Sequence, residues 1–130
     1  MTIANWCVLV ACFLPTATIG LAKLASARMP RGEGRYDNQR PREWTANLTG
    51  WKARANAAQM NGFEILPLFI AAVVLAQQAH ADQGRINLLA MSFIGSRIVY
   101  IALYLANIDT LRTLVWLAGV GVSIALMAMS

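Results

Sequence analysis

Two ionisable side chains, Glu64 and Arg97, stand inside hydrophobic runs of this 130-residue chain. A charge at membrane depth costs about 2.5–3.5 kcal/mol even on lenient scales, so such residues are functional candidates. These runs predict helices, in which each residue advances about 1.5 Å along the axis. Glu64 then lies about 20 Å, and Arg97 about 18 Å, from the same end of the predicted helix pair. We therefore expect both charges at one level of the membrane.

Polar residues continue from both charges at helical spacing. Positions i, i+3, i+7 and i+10 are Arg54, Ala57, Asn61 and Glu64 on one run, and Arg97, Tyr100, Tyr104 and Asn107 on the next. In an antiparallel hairpin the two stripes face each other, with Glu64 opposite Arg97 and Asn61 opposite Tyr100. The pattern predicts a hydrophilic cleft. The alternatives are a structural ion pair between Glu64 and Arg97 and ordinary hydrogen bonds between helices.

The elements that carry these stripes are membrane helices. Hydrophobic residues make up 58% of the chain and charged residues only 13%, whereas soluble domains average about 25% charged residues. Four runs approach the length of about 20 residues that a spanning helix needs. They predict an all-α, integral membrane four-helix bundle, a single domain over residues 1–130 with helices at about 3–25, 53–78, 86–107 and 111–129. No room is left for a separate soluble catalytic domain.

The distribution of positive charge predicts the topology. Eight of the eleven Lys and Arg residues fall between Lys23 and Arg54, in the first loop. The positive-inside rule places this 23–54 loop in the cytoplasm and both termini on the opposite side. The loop is expected to orient the chain rather than to bind nucleic acid, despite the net charge of +5. No basic residue precedes the first run, so it is expected to be a retained helix and not a cleaved signal peptide.

Metal-ligating and aromatic residues outside the stripes have simpler interpretations. His80 has only Asp82 nearby in a predicted turn, so no metal site is expected. Trp44, Trp51 and Tyr36 in the basic loop suit anchoring at the membrane interface.

The segment RANAAQMNGFEILPLF (Arg54–Phe69), followed by Arg97, Tyr100, Tyr104 and Arg112, resembles the MAPEG family, the membrane-associated proteins in eicosanoid and glutathione metabolism. The resemblance extends from the basic loop to the end of the chain. It implies a homotrimer of four-helix protomers that binds glutathione near subunit interfaces, toward the cytoplasm. Carried over by position, the glutathione contacts would be Asn61, Glu64, Arg97, Tyr100, Tyr104 and, more weakly, Gln59.

The resemblance also implies a reaction. Arg112 would be the catalytic arginine that stabilises the sulfur anion of glutathione, since a thiol with a pKa of about 8.5 is mostly protonated at neutral pH. The expected function is a glutathione-dependent transferase or peroxidase acting on lipophilic electrophiles or lipid hydroperoxides that dissolve in the bilayer. Glutathione would be a co-substrate, and membrane lipids the surrounding partners.

Two departures from the family pattern keep a second function open. Conjugating members carry an arginine at the position of Ala57, and the step from Tyr104 to Arg112 differs slightly from related chains. Arg112 is alternatively an arginine at the membrane edge. The alternative function is a non-catalytic, lipid-binding or accessory membrane protein of the same fold. A transporter or channel subunit is disfavoured because the chain shows neither inverted repeats nor paired broken helices.

Overall fold

The computed structural model describes residues 1–130 and consists of helices joined by turns and one long loop. The four long helices are α1 (Ile3–Ser26), α3 (Gly50–Gln78), α4 (Gln83–Leu105) and α5 (Asp109–Met127), and a short helix α2 (Pro41–Ala46) lies in the first loop. The predicted all-α four-helix bundle is confirmed. The structure differs from the prediction in that α3 begins at Gly50 rather than near residue 53, and that the basic loop contains α2.

The outer surface of the bundle is apolar. Only 25 of the 130 residues are buried, and large apolar side chains such as Phe13 and Leu24 are 65% and 71% exposed. Each of the four long helices is long and apolar enough to cross a membrane. Because so much exposed apolar surface is stable in lipid and not in water, the chain is an integral multi-pass membrane protein.

The bundle is held together by close contacts of small residues around two stacked phenylalanines. Helices α3 and α4 each contact the other three long helices, while α1 packs mainly on α3 and α5 mainly on α4. The rings of Phe69 and Phe93 stack with centroids 3.9 Å apart, and alanines from three helices surround them. Alanine lets helix backbones approach closely, which compensates for the absence of a hydrophobic driving force in lipid.

Two glycines mark the closest approaches between helices. A Cβ atom built on Gly62 of α3 would lie 2.7 Å from Cγ of Pro15 on α1, and one on Gly119 of α5 would lie 3.0 Å from Oγ of Ser96 on α4. Neither position has space for a side chain unless its neighbour shifts. These contacts bring α1 against α3, and α5 against α4, at the depth of the polar stripes.

The turn between α4 and α5 determines where α5 begins. Asn107 adopts a left-handed conformation with φ of 61° after the end of α4. The amide of Ile108 donates to the carbonyl of Leu103 at 3.0 Å, and that of Asn107 to Tyr104 at 3.1 Å. This is the Schellman pattern, for which asparagine is an accepted residue. The sharp reversal brings the first turns of α5, with Arg112, beside the last turns of α4.

The basic loop folds onto the ends of α1 and α3. Trp44 is buried there with Ile19, Ala22 and Ala55. Its Nε1–H donates to the carbonyl of Gly34 at 3.0 Å, and the ring of Tyr36 meets it edge-on at 5.0 Å. The indole of Trp44 therefore forms the core of the folded loop, and its position at the membrane interface stays a prediction. Trp51 does lie partly exposed at the start of α3.

Candidate ligand site

Polar side chains of α3 contact α4 along one row of the helix surface. Arg54 and Asn61, at i and i+7, point in nearly the same direction. Nε and Nη2 of Arg54 donate to the carbonyl of Leu105 at 3.2 and 3.1 Å. Nη2 of Arg97 donates to Oδ1 of Asn61 at 2.9 Å. The predicted facing of the two stripes is therefore present, and the guanidinium of Arg54 covers the end of α4, where free carbonyls favour a positive charge.

Glu64 does not meet Arg97 within the protomer, contrary to the predicted pairing. Its side chain is exposed and forms neither an ion pair nor a hydrogen bond in the chain. The physical reason is the helical repeat: three residues advance about 300°, so Glu64 is turned about 60° away from Asn61. Ala57 occupies the same outer row as Glu64. The sequence stripe thus divides into an inner row that contacts α4 and an outer row that faces out of the protomer.

Two arginines and two tyrosines form a continuous stack on α4 and α5. Cζ of Arg97 lies 4.2 Å from the ring centroid of Tyr100, whose ring meets that of Tyr104 edge-on at 5.7 Å. Cζ of Arg112 lies 4.1 Å from the centroid of Tyr104. Cation–π contacts of this kind are stronger where water is excluded. The contact with Tyr104 holds the Arg112 guanidinium against α4.

An open cavity of about 200 Å³ lies in front of this stack. Its walls come from three helices: Asn61 from α3, Tyr100 from α4, and Arg112, Thr113 and Trp116 from α5. A fixed cation, two hydroxyls and an amide around one cavity are the groups that bind an anionic, peptide-like ligand. Of the residues predicted from sequence, Asn61, Tyr100 and Arg112 line the cavity directly, and Tyr104 contacts Arg112 beside it.

Three predicted contacts lie elsewhere. Arg97 is only 4% exposed and stands behind the cavity wall, where it supports Asn61 and Tyr100. Glu64 faces outward, as described above. Gln59 is half-buried and forms no side-chain hydrogen bond within the chain. The protomer by itself therefore assembles only part of the predicted set.

Two residues that line the cavity, Thr113 and Trp116, were not predicted from the sequence. Trp116 follows Arg112 at i+4 and so shares its helix face, a relation that the sequence contains. Thr113 follows directly at i+1, and its position at the cavity is known only from the structure. No group of three His, Cys, Asp or Glu side chains lies close enough to hold a metal ion anywhere in the chain.

The sequence matches the model of a known protein family. The family model described as the MAPEG family matches residues 3–130, which is nearly the whole chain. The chain belongs to the MAPEG family. No curated protein and no solved structure gave a significant match to the sequence.

MAPEG membership indicates the general kind of protein in which the polar cavity lies. The chain is a membrane protein of the family associated with glutathione and eicosanoid metabolism. The match covers all four membrane helices, so it includes every residue of the arginine–tyrosine stack and of the cavity. It also covers Asn61, Glu64 and Pro67, the residues of α3 on which the resemblance was first based.

Proposed function

We propose that this MAPEG protein is a glutathione-dependent membrane transferase or peroxidase acting on lipophilic electrophiles or lipid hydroperoxides. The supporting observation is that Arg112, held against Tyr104, lines the same cavity as Asn61 and Tyr100. An arginine that only anchors the membrane edge is not expected to line a cavity together with polar residues of two other helices. The cavity thus combines a cation for the thiolate with donors and acceptors for a peptide.

The proposed chemistry begins with the glutathione thiol. A fixed guanidinium favours the thiolate over the thiol by about 1.4 kcal/mol for each unit by which it lowers the thiol pKa. In conjugation, the sulfur forms a bond to the electrophilic carbon and the leaving group departs with the bonding electron pair. In peroxide reduction, the sulfur takes the terminal hydroperoxide oxygen and releases the lipid alcohol. The thiolate of a second glutathione then attacks the sulfur of the resulting sulfenic acid, which forms the disulfide and releases the hydroxyl group as water.

The outer row of α3 supports the proposal that a homotrimer completes the site. Glu64 is an exposed carboxylate at membrane depth, where an unpaired charge is unfavourable. Pro67 lacks an N–H, so the carbonyl of Phe63 on the same exposed face has no helical donor. Both groups need partners that lipid cannot provide. We propose that a second copy covers this face and that the glutathione ammonium binds Glu64 at the interface.

Ala57 supports one alternative, a non-catalytic protein that binds lipid in the same cavity. It occupies the outer row with Glu64 but carries no charge, and Arg54 cannot substitute for an arginine there because Leu105 holds it. A carboxylate of glutathione would then lack its expected partner. Under this alternative the purified protein retains lipid and does not bind glutathione.

The test is glutathione binding to the purified, detergent-solubilised protein, measured by calorimetry. Arg112→Ala is the informative variant, and Arg85→Ala is its control, since Arg85 is an exposed arginine at the opposite end of the bundle. We expect saturable binding in the wild type and in Arg85→Ala, and turnover of an activated chloronitrobenzene that Arg112→Ala loses. No binding at millimolar glutathione, with lipid retained in native mass spectrometry, would establish the lipid-binding alternative instead.

A further inference from the structure

A second, much smaller cavity lies inside the protomer, between α1, α3 and α4. Its volume is about 10 Å³, and its lining includes Ala11 and Pro15 of α1, Gly62 of α3, and Phe93 and Arg97 of α4. A cavity needs about 10–15 Å³ of this kind of volume to hold one water molecule. The site is therefore the size of a single water and is separate from the open cavity that Arg112 lines.

One donor of the Arg97 guanidinium is unpaired at this position. Nη2 donates to Asn61, whereas Nη1 is buried and has no hydrogen-bond partner. Arg97 lines the small cavity and is not among the residues that line the open one. A buried, charged donor without a partner is strongly unfavourable, and native structures rarely contain one without an ordered water.

One acceptor on α1 also lacks its usual helical donor. Pro15 lies inside α1 and has no N–H, so the carbonyl of Ala11, four residues earlier, lacks its helical donor. Ala11 and Pro15 both line the small cavity. The carbonyl of Leu14 nearby already accepts a hydrogen bond from Oγ1 of Thr18 at 2.8 Å. The carbonyl of Ala11, which lacks its helical donor, and Nη1 of Arg97, which has no partner, thus belong to residues that line the same small cavity.

We propose that one water molecule is a permanent part of this fold, accepting a hydrogen bond from Arg97 Nη1 and donating one to the carbonyl of Ala11. The water gives each of these two groups a hydrogen-bond partner. The water itself then has two polar partners, which is the minimum for a buried water. Pro15 is then a positioning residue: by removing one helical hydrogen bond of α1, it provides the acceptor that holds Arg97, which in turn holds Asn61. This inference does not depend on the proposed glutathione chemistry.

A double-mutant cycle on thermal stability in detergent tests the bridge. In an Arg97→Met background, Pro15→Ala is expected to raise Tm because it restores a hydrogen bond to α1. With Arg97 present, the same change is expected to lower Tm by about 3–5 °C, since the new N–H at residue 15 competes with the water for the carbonyl of Ala11 and weakens the bridge to the guanidinium. The space left by the missing ring affects both backgrounds alike. Pro67→Ala, at the exposed proline of α3, is the matched control and should shift Tm equally in both backgrounds.

A second measurement observes the water directly, in case Arg97→Met does not fold. Magnetic resonance of protein with ¹⁵N-labelled arginine should show transfer between a long-lived water and the Arg97 guanidinium protons, and Pro15→Ala should weaken this signal. Equal Tm shifts for Pro15→Ala in both backgrounds, or a wild-type spectrum without the water signal, would overturn the proposal. A reversed sign together with that signal would establish it.

Discussion

The guanidinium of Arg97 is bonded to Asn61, with 2.9 Å between Nη2 and Oδ1, and has no contact with Glu64. This hydrogen bond joins α3 and α4 at membrane depth. It also leaves Glu64 free on the outer face of the protomer, available to a ligand or to a neighbouring subunit. Arg97 thus stabilises the wall of the cavity through Asn61, and Glu64 lies outside the cavity on the exposed face of α3.

Replacing Asn61 with leucine should destabilise the bundle. The change leaves Arg97 Nη2 buried without a partner, at a cost of about 1–3 kcal/mol. Asn61→Asp keeps an acceptor and adds an opposite charge, so its midpoint should equal or exceed that of the wild type. Thermal unfolding in detergent measures both. Equal losses in the two variants would contradict the bond between Asn61 and Arg97.

Removing Arg112 should abolish turnover while the fold is retained. We expect Arg112→Ala to lower kcat/KM for conjugation by about 100- to 1000-fold, the usual effect of deleting one group that stabilises a reacting anion. Tm should stay close to that of the wild type, since Arg112 is at the surface of the bundle and only half-buried. Difference absorbance of the bound thiolate provides a second measurement. Unchanged rates would exclude Arg112 from the mechanism.

Introducing an arginine at Ala57 should strengthen glutathione binding. Ala57 and Glu64 share the outer row of α3, so a guanidinium there can reach a carboxylate of a ligand whose ammonium binds Glu64. A hydrogen bond to a charged group contributes about 1.5–3 kcal/mol, which corresponds to about a 10- to 100-fold lower Kd. Calorimetry on Ala57→Arg tests this, with Ala57→Leu as the uncharged control. Equal affinities in the two variants would contradict the proposed orientation of glutathione.

Adding a methyl group at Gly62 should separate α1 from α3. The new Cβ of Gly62→Ala would meet Pro15 Cγ at 2.7 Å, and overpacking of this kind costs about 1–3 kcal/mol. Gly95→Ala is the control, because nothing lies within 4 Å of a Cβ there, and alanine favours the helix by about 1 kcal/mol. Thermal midpoints should therefore move in opposite directions. A stabilising Gly62→Ala would show that the two helices are less closely packed.

The sidedness of the protein in the membrane is a prediction that rests on the sequence. The basic loop is expected in the cytoplasm because of its arginines. Single cysteines at Arg42 in that loop and at Ser130, in a background without Cys7 and Cys12, allow the test by labelling in intact cells with an impermeant reagent. Labelling of the terminal site alone is expected, and labelling of the loop site alone would reverse the topology.

The sequence alone determined the membrane character, the number of spanning helices and the family, because these depend on run length, composition and a local motif. Asn61, Tyr100 and Arg112 could be proposed as site residues for the same reason. Other features required the tertiary structure. The packing of α3 on α4 decides that Asn61 contacts α4 while Glu64, about 60° away around the helix, faces out of the protomer. Helix packing also brings Thr113 to the cavity. Ala11, whose carbonyl lacks its helical donor, and Arg97, whose Nη1 is unpaired, line one cavity only because α1 packs beside α4. Spacing along one helix determines which residues share a face, but only the packing of several helices decides what that face meets.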